Sequence, residues 1–222
     1  TLFISLFILS LIINLETGLK KELQNNAKVL LGGDFEVDTR TKQIDSNFLN
    51  ELKKKSIVSS TIEFSTMLTG SLTDETNAFF IRLKAVDDQY PLYGKVFSKP
   101  QNAMQRLQSE VNTIVVNRKI FETLNLKVNG TVYVKQAPFK VVGYVETVPD
   151  LGRALLFGDF AIVSNRAFEK LNVTSIGSFV NYEYKVKASN KDVLKFVYKK
   201  LEEFPTYKIR LPENAANNLK RL

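Results

Sequence analysis

The first fifteen residues, TLFISLFILSLIINL, carry no charge and lead directly into the amphipathic stretch ETGLKKELQNNAKVLL. A full membrane span needs about 20 apolar residues to cross ~30 Å of hydrocarbon, so this shorter run is read as the end of a membrane helix that continues outward as a stalk. Two other readings stand beside it. A secretory leader would want a basic start and a small-residue cleavage site, whereas Asn14 is followed here by Leu15-Glu16-Thr17. A buried helix of a soluble protein is the second. Past the run, Leu15, Leu19, Leu23, Ala27 and Leu30-Leu31 recur at helical spacing until Gly32-Gly33 stops the pattern. Leu15, Leu19, Leu23 and Ala27 are therefore the candidate coupling residues of the stalk. A continuous helix rising ~1.5 Å per residue would act as a stiff lever, and a simple tether packed on the body predicts the same stripe.

A chain of 222 residues can bury one large core or two small ones, and 44% apolar with 24% charged residues is a globular balance. Cysteine, histidine and tryptophan are all absent. That removes thiol nucleophiles, disulfides, thiolate or imidazole metal sites and any histidine-based triad. The formal charge of +8 invites a nucleic-acid reading. The basic residues, however, are scattered through Lys20-Lys21, Lys53 to Lys55, Arg118-Lys119, Lys185 to Lys200 and Lys220-Arg221, with no recognition motif beside them. Solvated faces or attraction to an anionic membrane surface fit this scatter better, and no nucleic-acid partner is expected.

The alternating stretch from Asp34 to Val37 predicts a strand, and Ser46 is the expected N-cap of a short helix carrying Phe48, Leu49 and Leu52, with Lys53 to Lys55 at its favoured C-terminal end. Ile57 to Leu72 and Ala78 to Val86 are rich in β-branched or aromatic residues and flank the turn Thr73 to Thr76, which predicts a hairpin. Asp87 to Gly94 reads as a loop, and the polar stretch to about Gln108 shows no strong period. A strand at Thr113 to Val116, a helix at Arg118 to Leu124, a tight turn at Asn129-Gly130 before TVYV and a strand at Phe139 to Val145 follow in a rhythm common in small β barrels. Phe160 to Val163 is a buried-looking strand, Asn165 to Leu171 a helix capped by Ser164 or Asn165, residues 179 to 188 a strand, Asn190 to Glu203 a helix and Tyr207 to Leu211 a last strand. Residues 212 to 222 read as a return towards the membrane.

In order along the chain, GLKKELQNNAKVLLGGDFEV, IRLKAVDDQYPLYG, TIVVNRKIFETLNLKVNGTVYV, FKVVGYVETVPD and FGDFAIVSNRAFEKLNV resemble the periplasmic core domain of FtsX-like, MacB-type ABC transporter permeases, in particular their YbbP-like branch. The resemblance implies an α+β, two-lobed extracytoplasmic domain on an N-terminal membrane-helix stalk. Residues 1 to 31 would form the helix end and stalk, and 32 to 211 the core. Lobe 1 would hold about 34 to 108 with 176 to 211, and lobe 2 about 110 to 175. It also implies a bacterial inner-membrane protein whose bulk is periplasmic, partnered by a separate cytoplasmic ABC ATPase and acting on lipids, lipoproteins or other hydrophobic substrates. The later membrane helices and the ATPase-coupling helix of such permeases are not in this sequence.

Among candidate sites, Gly32-Gly33-Asp34 lacks the lysine of a phosphate loop and reads as a helix stop. Asp87-Asp88, Asp150 and Asp159 match no metal-loop spacing and read as turn and loop aspartates. No serine sits in a GxSxG elbow, so no catalytic residue, cofactor or metal is assigned. The loop at Tyr90, Pro91 and Tyr93 is the candidate contact for a membrane lipid or envelope partner, its tyrosines packing over the core being the alternative. A membrane-anchored sensor or adaptor domain is the alternative to a permease domain.

Overall fold

The computed structural model describes residues 26–72, 78–150, 158–171 and 180–213. Residues 1–25, with Leu15, Leu19 and Leu23, lie outside them, as do the turn at 73–77 and nearly all of 212–222. No helix among the described residues is long and apolar enough to cross a membrane.

Among the described residues ten strands make one mixed sheet: β1 Phe35–Arg40, β2 Ser56–Thr69, β3 Ala78–Val86, β4 Phe97–Lys99, β5 Thr113–Asn117, β6 Thr131–Val134, β7 Ala137–Thr147, β8 Phe160–Ser164, β9 Asn181–Ala188 and β10 Lys208–Arg210. Besides the helical residues 26–31, the described residues include the helices α1 Ser46–Lys55, α2 Ala103–Ser109, α3 Arg118–Thr123, α4 Asn165–Glu169 and α5 Asp192–Leu201. The body is therefore α+β. Its strands run β10-β1-β9-β2-β3-β8-β5-β7-β4, and β6 pairs with both β2 and β7. That last pairing closes β2, β3, β8, β5, β7 and β6 into a six-stranded ring. Ring closure leaves no free edge along the paired segments. Within the ring, β3–β8 and β5–β7 are parallel and the other pairs antiparallel.

β2 is long enough to serve two structures at once. Its first half, Ser56 to Glu63, pairs with β9 and carries the open sheet β9-β1-β10, while Leu68 and Thr69 meet Val134 and Tyr133 of β6 at the ring. Strand alternation sorts the side chains. Ile81, Leu83, Ile114, Val116, Phe139, Val141, Ala161 and Val163 join the main core, whereas Val86, Val115, Val142 and Ile162 join a smaller cluster with Ala103 and Leu107 of α2 and with Tyr90. On the open sheet, α1 buries Phe48 and Leu52 and α5 buries Val193 and Val197. Phe48 meets Phe196 edge to face at 6.1 Å and stacks on Phe204 at 5.8 Å.

The hairpin, the strand at 113 and the helices at 118 and 165 stand where the sequence places them. Ser164 caps α4 by accepting from the Ala167 N–H. The cap of α1 is Asp45, not Ser46: its carboxylate accepts from the Phe48 N–H at 2.9 Å, and Ser46 is the first helical residue. The aperiodic stretch before Gln108 holds β4 and α2. Only Ala103 and Leu107 of α2 are buried, one turn apart, too few to raise a helical period. β4 pairs with β7 and α2 packs on the sheet beside β5 and β7, although β4 and all of α2 but Ser109 lie within residues 34 to 108.

Candidate functional site

Residues 26–31 are helical, with Ala27 and Leu31 buried against the body. Gly32 ends the helix at φ +79°, and the Gly32 and Gly33 N–H groups both donate to the Lys28 carbonyl at 2.8 and 3.1 Å, satisfying groups a helix end leaves open. A Cβ at Gly32 would stand 2.9 Å from Lys185 Cδ and 3.0 Å from Asp150 Cβ, so the turn lies directly on two buried side chains. Gly94, at φ +78°, closes the same junction from the other side: a Cβ there would meet Pro149 Cβ at 2.5 Å and Val29 Cγ1 at 3.0 Å.

Asp34, the next residue, fastens the turn. Its carboxylate accepts from the Ala188 N–H at 2.9 Å and from the Tyr93 hydroxyl at 3.0 Å, and it pairs with Lys28 at 2.7 Å. Burial and the bond to Asp34 push the Tyr93 phenol up to about 12. Lys187 Nζ lies 5.3 Å from the Tyr93 ring centroid, within cation–π range.

Beneath the turn stands Asp150, its side chain 0% exposed. Lys84 of β3 donates to it at 2.5 Å, Lys185 of β9 donates to the same oxygen, and the Tyr90 hydroxyl donates to the other oxygen at 2.6 Å. Lys84 Nζ also lies 5.0 Å from the Tyr90 ring centroid. Burial alone would push the Asp150 carboxyl up, but Lys185 and Lys84 outweigh it and hold the group below the usual carboxylate range. Burial would likewise lower Lys185, and the surrounding Asp150, Glu183, Glu36 and Glu63 carboxylates hold it above its ordinary value. Tyr90 is pushed well up, first by burial and then by Asp150, so it stays a neutral donor. Asp150 thus ties the ring, through β3, to the open sheet, through β9, directly under the helix end at Gly32.

From this cluster a charged network spreads over one face of the sheet. Lys84 faces Glu63 at 3.7 Å and Lys185 faces Glu183 at 3.7 Å. Arg210 of β10 donates to Glu36 at 3.0 Å, to Glu183 at 3.4 Å and to Asp38. A groove of about 750 Å³, lined by Arg40, Arg82, Arg210, Asp38, Glu63 and Glu183 among others, opens on this face. On the opposite side a groove of about 610 Å³ runs between α1 and α4 over Tyr182 and Tyr184.

The sequence-predicted residues separate here. Tyr90 and Tyr93 reach the junction through Asp150 and Asp34, and Ala27 is buried in the helical residues that lead into it. Tyr90 does not offer its ring to solvent: it is 9% exposed and packs in the α2 cluster, which corrects the expectation that it forms a contact surface. Pro91 and Tyr93 are half-buried. Of the aspartates read as loop residues, Asp87 accepts from Ser59 and the Ser60 N–H, and Asp159 accepts from Lys119 and Asn117, but Asp150 is the centre of the site. Lys84 and Lys185 were missed too. Their only sequence signal is a lysine at a strand position in IRLKAV and YEYKV; its complement lies 66 and 35 residues away. Among the described residues no group of histidine, cysteine, aspartate or glutamate is arranged to hold a metal ion.

No known family profile matches the chain. A curated relative, the uncharacterized ABC transporter permease YbbP of Escherichia coli K12, is 26% identical over 178 residues, which cover 78% of this chain and 20% of that protein. The chain thus spans about a fifth of the relative's length. The periplasmic region of MacB from Actinobacillus actinomycetemcomitans superposes with a TM-score of 0.56 at 13% identity, covering 90% of this chain and 99% of that one. The extracellular domain of the noncanonical ABC-type transporter YknZ from Gram-positive bacteria gives 0.50 at 15% identity over 78% of this chain and 90% of that one. The chain has the fold of MacB-type periplasmic domains, and the resemblance read from its sequence blocks holds.

Proposed function

Because this chain has the MacB-type periplasmic fold, we propose that it is the extracytoplasmic domain of an ABC transporter permease subunit in a bacterial inner membrane, with its bulk on the periplasmic side. A separate cytoplasmic ATPase drives the cycle through parts of the permease beyond this sequence. The domain passes that motion to a lipid, lipoprotein or other hydrophobic substrate and performs no chemistry itself. The observation that carries this reading is the seating of the helical residues 26–31: Gly32 lies on Asp150 and Lys185, and Asp150 binds Lys84 of the ring as well. A displacement of the stalk would reach both parts of the body through one buried cluster, because packed interiors transmit strain. Leu15, Leu19, Leu23 and Ala27 form the stripe that carries it, and the segments 34–108 with 176–211 and 110–175 are the two lobes it moves.

The test is purification of the full-length permease from membranes, with ATPase turnover measured in the complex. A co-purifying ATPase whose turnover changes when residues 34–211 are deleted, and transport lost in Leu19→Asp/Leu23→Asp with the domain still folded, is the expected result. Absence of an ATPase partner would turn the reading to a membrane-anchored sensor or adaptor.

A further inference from the structure

Arg40, Arg82 and Lys208 also line the charged face, but among the groups within ion-pair distance of one another the carboxylates outnumber the cations. Five carboxylates, Glu36, Asp38, Glu63, Asp150 and Glu183, share three cations, Lys84, Lys185 and Arg210, within ion-pair distance. Asp150 makes the closest contact with two of the three cations, Lys84 and Lys185, which stand farther off, at 3.7 Å, from Glu63 and Glu183. Arg210, from β10, is left to serve Glu36, Asp38 and Glu183 together.

Glu36 is the deepest of those three carboxylates, its side chain 3% exposed against 10% for Asp38 and 13% for Glu183. It sits on β1 between two neighbouring strands, with Lys185 of β9 and Arg210 of β10 as its register partners. Glu183 faces it diagonally from β9 and Asp38 lies two residues on along β1. Lys208 of β10 stands opposite Asp38, while Asp34 and Lys187, at the other end, are engaged with Tyr93. A buried carboxylate in such company is short of compensating charge, and the arrangement is relieved by one proton.

We infer that this face is a proton-responsive clasp, in which a proton on Glu36 relieves the crowding of carboxylates around Arg210 and so sets how firmly β10 is held to β1 and β9. β10 is a three-residue edge strand, held in register at Glu36, Val37 and Asp38, and Arg210 is its ionic attachment. Its hold therefore depends on the charge balance it meets. Burial, and next Glu183, push the Glu36 carboxyl up to about 8, which places the change near neutral pH. The sign follows: a carboxyl bound more tightly to its proton when folded contributes its stability in full below about 4.5, and loses it as pH rises to about 8.

The experiment is a carboxyl-carbon NMR titration of the full 222-residue chain between pH 5 and 9, with melting temperatures of wild type and Glu36→Gln at pH 5.5 and 8.5. The expected result is a Glu36 carboxyl titrating above pH 7, a wild-type melting temperature that falls between the two pH values, and a smaller fall in Glu36→Gln. Glu183→Gln, which removes the nearest repelling charge, should move the Glu36 titration to lower pH. A Glu36 carboxyl titrating below about pH 5.5 in wild type, or equal pH dependence in wild type and Glu36→Gln, overturns the inference. The NMR titration of wild type decides the matter even where a variant fails to fold.

Discussion

The open sheet has two faces built from the same strands, and they are stabilised in different ways. On one, Phe35, Val37, Tyr184 and Val186 lie with Val58 and Ile62 in the main core, with α1 and α5 packed against it. On the other, one residue along, Glu36, Asp38, Glu183 and Lys185 form the charged network. The apolar face depends on area removed from water, a non-directional contribution of about 25 cal/mol per Å² that does not respond to pH. The charged face depends on pairing. Each group there is costly to bury alone and tolerable only while its partners stay in place, so a single deletion harms more than the contact it removes.

The sharpest break of this contrast is Asp150→Ala. It removes the nearest counter-charge of Lys84 and Lys185, leaving them Glu63 and Glu183 at 3.7 Å, and the expected loss is about 3–5 kcal/mol, the range for removing one partner of a buried ion pair. Denaturant unfolding at pH 7 reads it directly. Because the Asp150 carboxyl is held below its ordinary value when folded, its contribution is present above the unfolded carboxylate range and disappears as pH falls through and below it. Acid unfolding of the variant should therefore show less loss below pH 4 than wild type.

On the apolar face, Leu52→Ala should cost about 2–5 kcal/mol through lost burial and a residual cavity, with Leu52 fully buried in wild type. The informative part is its pH profile, which should parallel wild type from pH 4 to 9. A penalty that changes with pH would mean the two faces are energetically one. Tyr90→Phe is the mildest test. It removes only the hydroxyl bond to Asp150 and keeps the ring, for an expected loss of about 1–3 kcal/mol by thermal or denaturant melting. A loss near zero would show that the two lysines alone satisfy Asp150.

Much of the fold is legible in the residues themselves. Strands β2 and β3 announce their hairpin by β-branched and aromatic runs around a polar turn, and α5 by the spacing of Val193 and Val197. The order of those elements, with the helix stop at Gly32-Gly33, is local information, because hydrogen-bond patterns and alternation act over a few residues. β4 and α2 escaped because a three-residue strand and a helix with two buried residues carry too little pattern.

What the chain could not announce is which distant residues meet. That β6 closes a ring between β2 and β7 depends on two pairings of four or fewer residues each, and neither is encoded within either strand. The centre of the site is of the same kind: Asp150 looks like a loop residue until the folded chain sets Lys84 and Lys185 on its carboxylate and Tyr90 beneath Lys84. Alternation marks which residues leave the core, but a charge is buried or exposed according to what covers it. At this junction the cover and the counter-charges come from segments far apart in sequence, and only the tertiary structure brings them to one point.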